Sequence, residues 1–269
     1  MEFDDIHIII DNHFNRMLHD DMHPYVAHAY CSTGKCLMKY NEQDFIFQQG
    51  DLMILPTMRL VQSITPDDGF CVTVIYVHTD FRTLCIPNSN YGVRGGMALI
   101  NNPIMSLQPW EQDVCQRDIN NICFRHAGER NEFYTDIMVN AVQALILDCY
   151  QFHAHRNTGK QISTYHADIM SKFINLLEEG AYREHRDLGY YASELCITAK
   201  YFSDLCKRIS GHSASLLINR YTTLEIRRLL KDTTLSIAEI SERLHFSSPS
   251  HFSLFFYKQT GVLPSDYRK

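Results

Sequence analysis

The sequence predicts an α+β chain of two domains, a β-rich front over residues 1–158 and an all-helical back over residues 163–269. Three observations carry the prediction. Short apolar runs bounded by turn residues fill the chain to about residue 105. After Pro109 the apolar residues recur at helical spacing, and beyond residue 160 no strand pattern returns. Charge divides along the same line: residues 161–269 hold 14 Lys+Arg against 12 Asp+Glu, and residues 1–160 hold 11 against 19, so a back of +2 and a front of −8 make up the net −6.

The strand candidates are Ile6–Ile10, Phe45–Phe47, Leu52–Leu55 and Cys71–Val77, all rich in β-branched or aromatic residues. Gly34, Gly50-Asp51, Pro56, Pro66–Gly69 and Pro87-Asn88 supply the turns between them. Short strands at near-regular spacing predict a small β-sandwich or barrel. Residues 110–126 and 132–153 then read as helices. In the second, Ile137, Ala141, Leu145 and Cys149 recur every four residues, with Met138, Val142 and Ile146 beside them. One stripe of that face can pack on its own domain, and the remainder is wide enough to seek a second copy. A two-fold homodimer through this helix, with Val142 and Leu145 in the contact, is therefore expected. Asn157–Gly159 reads as a linker. Ile169, Phe173, Ile174 and Leu177 form the first stripe of the helical domain, with Gly180 as its C-cap.

A chain of 269 residues can bury a core in each domain. No apolar run approaches the ~20 residues that span a bilayer. The acidic start, Met1-Glu2-Phe3-Asp4-Asp5, lacks the basic region of a secretory signal. A cytoplasmic protein with no membrane partner is the expectation. The nine cysteines are scattered with no Cys-x-x-Cys pair, which predicts free thiols packed as small hydrophobes. A surplus of +2 is too small to establish nucleic-acid binding in the back domain. The motifs must do that.

Residues 188–211 place Tyr191, Ala192 and Leu195 on a first helix, Ile197 in a turn and Thr198 as the N-cap of a second helix that ends at Gly211. That second helix buries Phe202, Leu205 and Cys206 and turns outward Lys200, Ser203, Asp204, Lys207 and Arg208. The device recurs over 236–261. Ser236 and Glu239 have capping-box spacing, Ile237, Ile240 and Leu244 face inward, and Ser248-Pro249 starts a helix with Phe252, Phe255 and Phe256 on one face. Ser250, His251, Leu254 and Lys258 fall near its outer face, and Leu216–Lys231 reads as a connecting helix. Two short helices around a tight turn, the second with a polar face, form a helix-turn-helix suited to the DNA major groove. Each apolar position taken alone is core; only the outward polar residues are functional candidates.

Over residues 163–269 this pattern resembles the DNA-binding domain of the AraC/XylS family of bacterial transcription regulators. The resemblance rests on Ala192, Leu195, Phe202, Gly211, Arg227, Leu230, Ser236-Ile237, Ile240, Leu244, Phe246, Ser250, Phe252 and Phe256, closed by Gly261-x-x-Pro264-x-x-Tyr267-Arg268. It implies double-stranded DNA as partner, with the two recognition helices in successive major grooves roughly 34 Å apart. By position it implies Lys200, Ser203 and Asp204 facing bases from the first unit, and Ser250, His251 and Leu254 from the second. Several positions depart from the pattern. Leu254 stands where a basic or polar residue is frequent, Asp204 where Arg or Gln is frequent, and Tyr257 where Lys is common. His245 replaces the usual turn glycine, and His tolerates positive φ better than most residues. The second unit is accordingly expected to read bases weakly and mostly to hold the backbone.

In the front domain, Phe45–Pro56 resembles the small cupin-like barrel that precedes many such DNA-binding domains, with Gly50-Asp51 as the turn between strands. Many cupins are metal enzymes, which need a His-x-His, a Glu and a later His. Residues 23–31 offer only His23 and His28, five apart, and Thr57–Gln62 after Pro56 has no His where the third ligand belongs. Neither a metal nor a cofactor is expected. The interior is supplied with Tyr30, Met38, Tyr40, Phe45, Phe47, Met53 and Tyr76, and an effector site is expected among His28, Tyr30, Met38, Phe47 and Tyr76. The resemblance implies a regulator that answers to a small-molecule effector, acts as a homodimer and has RNA polymerase as a further partner. Two alternatives stay open: a constitutive regulator whose front domain only dimerises, and a metal-dependent cupin enzyme with a helical appendage.

Overall fold

The computed structural model describes residues 8–87, 91–156 and 163–268. The expected strand start at Ile6-His7, the turn residue Asn88 and the linker Asn157–Gly159 lie outside the described residues. The chain divides into two compact units, Met1–Ile162 and Ser163–Lys269.

In the front unit the strands are β1 (Ile8–Asp11), β2 (Tyr25–Thr33), β3 (Lys35–Tyr40), β4 (Gln43–Gln48), β5 (Asp51–Leu55), β6 (Val61–Pro66), β7 (Cys71–His78) and β8 (Ile104–Ser106). All their pairings are antiparallel. They form a five-stranded sheet ordered β1-β7-β2-β5-β8 and a three-stranded sheet ordered β4-β3-β6. The expected barrel is thus realised as two sheets, with no closed ladder among the described residues. Asn41 and Glu42 join β3 to β4 with φ of 51° and 66°, the two-residue turn whose twist suits a hairpin. Gly50 carries φ 83° between β4 and β5, where the Asp51 carboxylate accepts from the Gln48 amide at 3.0 Å.

Side-chain alternation then decides what each strand residue meets. His28 pairs with Ile54 on one side and Ile75 on the other, and Ala27 with Leu55 and Tyr76. Val26, Tyr30, Leu52, Ile54, Ile75 and Val77 share one buried cluster with the helices of the unit. These helices are α1 (Thr79–Cys85), α2 (Tyr91–Asn101), α3 (Pro109–His126) and α4 (Tyr134–Arg156). The first two fall where the sequence read as strands and turns; Gly92, Gly95 and Gly96 depress helix propensity and hide α2.

α3 starts with Pro109 at its first position, and the Glu111 carboxylate accepts from the Gln108 amide at 2.8 Å. The same buried carboxylate takes the fork of Arg156 at the far end of α4, and Arg156 also donates to the Ser106 and Phe152 carbonyls, each at 2.6 Å. Burial pushes the Glu111 carboxyl up. The Arg156 hydrogen bond, the Gln108 amide and the Arg156 charge outweigh it and hold the group below the usual carboxylate range.

α4 corrects the expected dimer seam. Met138, Ala141, Val142, Leu145, Ile146 and Cys149 are all buried in the unit's own core. Both apolar stripes find partners inside the unit, because α1, α2 and α3 all pack on α4. Ala144, Leu147 and Ala154 are the apolar residues this helix leaves exposed, beside polar Asp136, Asn140 and Gln151.

The back unit is built from α5 (Thr164–Glu178), α6 (Leu188–Glu194), α7 (Ala199–Ser210), α8 (Ala214–Lys231), α9 (Ile237–Arg243), α10 (Pro249–Thr260) and α11 (Pro264–Tyr267). Asp187, Thr198, Ser213, Ser236 and Ser248 cap α6 to α10, each side chain accepting an otherwise orphan amide. Phe173 on α5 centres the first core, edge-on to Tyr191 at 5.5 Å and Phe202 at 4.9 Å. The second core joins Ile226, Leu230, Ile240, Leu244, Phe252 and Phe256. α8 packs on α7 and also on α9 and α10, so one rigid rod serves both helix pairs. Among the described residues no helix is long and apolar enough to cross a membrane.

Candidate nucleic-acid interface

α6–α7 and α9–α10 are two copies of one device, and their turns repeat hydrogen bond for hydrogen bond. Cys196 N–H donates to the Ser193 carbonyl and Ile197 N–H to Ala192, both at 3.0 Å; His245 N–H donates to Glu242 and Phe246 N–H to Ser241, both at 2.9 Å. Cys196 and His245 hold the left-handed corner with φ of 54° and 49°. The positive φ anticipated at His245 is present, and its counterpart Cys196 escaped the sequence reading. Phe246 is then buried in the core of the second pair, while Ile197 at the matching position is half-buried. The second turn is one residue longer, since Ser248 and not Ser247 caps the helix that follows. Gly211 and Gly261 both end the second helix at φ 76°.

α7 has a buried side of Phe202, Leu205, Cys206 and Ser210. Lys200, Asp204 and Lys207 are exposed and Ser203 is half-buried; at these spacings they fall on one stripe. Arg208 is exposed but turned aside. Its Nη2 lies 3.4 Å from His166 Nε2, which is also 2.8 Å from Tyr201 Oη, so Arg208 and Tyr201 lean toward α5. On α10, Ser250, Leu254, Tyr257 and Lys258 are exposed along the corresponding stripe. His251 is exposed yet held toward the turn: its Nδ1 is 3.1 Å from Ser247 Oγ and its ring meets Phe246 edge-on at 5.7 Å. The first stripe therefore presents two lysines and one aspartate, the second a single lysine beside a leucine and a tyrosine.

Arg186, just ahead of α6, was not singled out by the sequence, yet it ties the two units together. Its guanidinium donates to the carbonyls of Arg183 at 2.8 Å, Leu244 at 2.6 Å and His245 at 2.8 Å, and sits 4.0 Å above the Phe246 ring. Leu244 and His245 are the orphan carbonyls at the end of α9, so this side chain caps the second unit from the entrance to the first. A second cross-link lies nearby: buried Glu225 on α8 receives Arg183 and Arg228, with its contacts to both at 3.1 Å. Glu225 and Arg228 stand three apart on α8, a spacing visible in sequence, whereas the ties of Arg183 to Glu225 and of Arg186 to Leu244 and His245 have no local spacing to mark them.

In the front unit the five effector candidates do not converge. Met38, Phe47 and Tyr76 are buried, with Tyr76 on the strand face opposite His28. His28 and Tyr30 lie on the helix-covered face; Tyr30 joins the helix-side cluster. His28 is buried in a pocket with Arg82 of α1, and burial first, then the Arg82 charge, lowers its pKa to about 3. Among the described residues no cluster of His, Cys, Asp and Glu is placed to hold a metal ion.

Residues 191–269 match the family model of a helix-turn-helix domain. The regulatory protein PocR of Salmonella typhimurium is 35% identical over 106 residues, which cover 39% of this chain and 35% of PocR. The transcriptional regulatory protein YesN of Bacillus subtilis is 28% identical over 118 residues, covering 42% of this chain and 32% of YesN. The chain thus spans about a third of the length of these curated relatives. Among solved structures, ToxT from Vibrio cholerae aligns over 98% of this chain and 94% of its own at 16% identity and a TM-score of 0.45.

Two outcomes follow. Arg186→Met leaves three carbonyls without their donor and is expected to destabilise the helical unit by about 2–3 kcal/mol. It should also weaken binding to a duplex offering two adjacent grooves more than to one offering a single groove, measured by gel shift; an unchanged ratio would show that α8 alone sets the spacing. The second outcome concerns His28. Between pH 6.5 and 3 the unfolded imidazole binds a proton that the folded one refuses, so stability is lost as pH falls through that window and is unaffected above it. Asp118 works in the opposite sense, its pKa pushed up to about 7 by burial and by sharing a hydrogen bond with Asp148. The comparison is therefore wild type against His28→Gln: the wild type should lose about 4 kcal/mol relative to the variant by pH 3 in denaturant melts.

Proposed function

We propose that this chain, whose C-terminal domain is an AraC-type helix-turn-helix domain, is a sequence-specific DNA-binding transcription regulator. In this reading it acts as a cytoplasmic homodimer, responds to a small-molecule effector in its front domain and works on RNA polymerase at promoters. One observation carries the DNA-binding reading: two helix pairs with the same left-handed corner, braced by α8 and Arg186, each turn an exposed helix stripe outward. Lys200, Ser203, Asp204 and Lys207 read bases from the first unit; Asp204 suits a cytosine amino group. Ser250, Leu254 and Lys258 serve the second unit, with Lys258 on phosphate, while His251 and Arg208 support the helices that carry the readers. The asymmetry in charge favours strong readout by the first unit and backbone holding by the second.

Lys200→Ala is expected to weaken operator binding by about 1–3 kcal/mol and to relax preference at one base pair. Lys258→Ala should weaken all sequences alike and reduce the salt slope by about one. Selection from randomised sites followed by gel shift reads both, and equal information in the two halves of the site would overturn the division of labour. The dimer reading rests on the exposed Leu147 of α4, with exposed Phe124 on α3 and Phe133 just ahead of α4. Leu147→Glu should give a folded monomer by sedimentation with unchanged circular dichroism, whereas Val142→Glu should unfold the front unit. A wild-type monomer at micromolar concentration would refute the dimer.

A further inference from the structure

The face of β2 that carries His28 is covered by helices, and between them lies a pocket of ≈ 50 Å³. Its walls include Val26, Ile54, Leu99 and Ile146, all apolar, and the polar side chains His28, Arg82, Tyr150 and His153 also line it. His28 is 3% exposed and its Nδ1 has no hydrogen-bond partner among the described residues. Arg82 Nε is sealed from solvent and is likewise without a partner there. A guanidinium stays charged in any protein environment, so it needs a counter-charge when it is taken out of water. The acidic groups that act on it are the Tyr150 phenol and the Cys85 thiol. Burial keeps both protonated, raising the phenol above its ordinary value and the thiol to about 12. Among the described residues no Asp or Glu lines the pocket. A cation without an anion, facing an apolar recess, is a costly arrangement for a fold to retain unless something supplies the charge.

We propose that this pocket binds the carboxylate of a short organic acid, with Arg82 as its counter-ion and His28 Nδ1–H as a second donor. The recess has room for roughly three or four waters, which limits the acid to about two to four carbons. The binding claim stands on the pocket alone; its role as the effector site rests on the regulator reading above. Carboxylate and guanidinium match as a planar fork, and the aliphatic tail meets Val26, Ile54 and Leu99.

The experiment is thermal unfolding and calorimetry of the full chain with acetate, propionate and butyrate. Propionamide, octanoate and inorganic phosphate serve as comparisons. Acids of the right length should raise Tm by on the order of 5 °C at a hundredfold excess over Kd, and the uncharged amide should not. Arg82→Met should lose this response while melting, without ligand, at or above the wild-type temperature, because it removes a half-buried cation whose sealed Nε has no partner among the described residues. Arg82→Lys should keep a weakened response. The proposal is overturned if none of the three short acids shifts Tm, if phosphate or octanoate shifts it in their place, or if Arg82→Met retains the response. A fall in the unliganded Tm of Arg82→Met would also overturn it, since the guanidinium would then be holding the fold. Gel shifts with and without the acid test the other reading separately. An acid that binds without changing operator affinity removes the effector role and leaves the site, and a chain that binds no DNA removes the regulator reading and leaves the calorimetry untouched.

Discussion

From just ahead of the first helix pair, Arg186 donates to the Arg183 carbonyl and to the Leu244 and His245 carbonyls of the second pair, and much of the back unit depends on where that group sits. A helix leaves its last carbonyls unpaired, and α9 is too short to bury them under its own side chains. Supplying donors from the entrance to α6 satisfies these groups and at the same time ties residue 186 to residues 244–246. With α8 packed on both pairs, two small cores behave as one frame. Each pair alone would bury little apolar surface. The stability of the second corner, with His245 held at positive φ, is therefore a property of the whole unit and not of its local sequence.

The sequence made the back unit legible to the level of individual caps. Thr198, Ser236 with Glu239, Ser248-Pro249, Gly211 and Gly261 all act at the helix ends where their chemistry placed them, because capping is decided within a few residues. The ties of Arg186 to Leu244 and His245 and of Arg183 to Glu225 stayed hidden because the partners lie tens of residues apart, and Arg186 binds backbone, which has no residue type to recognise. Arg208 and His251 were placed on outer faces correctly by periodicity, but their neighbours His166 and Ser247 turn them aside. Periodicity gives the side of a helix and says nothing of what waits there.

In the front unit the two-residue period separated the strand faces but could not name what covers each. His28, Tyr30, Met38, Phe47 and Tyr76 were grouped as one interior, whereas His28 and Tyr30 meet helices and Tyr76 points to the other side of the sheet. The apolar breadth of α4 misled in the same way. A wide stripe signals burial, and three neighbouring helices of the same unit provide it. The orphaned nitrogens of Arg82 and His28 belong to a class of feature that no sequence pattern predicts, since an unmet hydrogen bond is defined only by the surroundings that fail to meet it.

The unequal stripes of α7 and α10 have a consequence for the duplex. A protein whose two readers are identical and related by a two-fold axis sees the same site from either end, and the bound complex carries no arrow. Here one reader is charged and the other largely neutral, on a single chain with a fixed order and turns of different length. On the proposed reading, each protomer therefore binds with a polarity, and inverting its half of the operator is a different message from shifting it. Whatever surface the chain offers to the transcription machinery would then point upstream or downstream according to the written direction of the site.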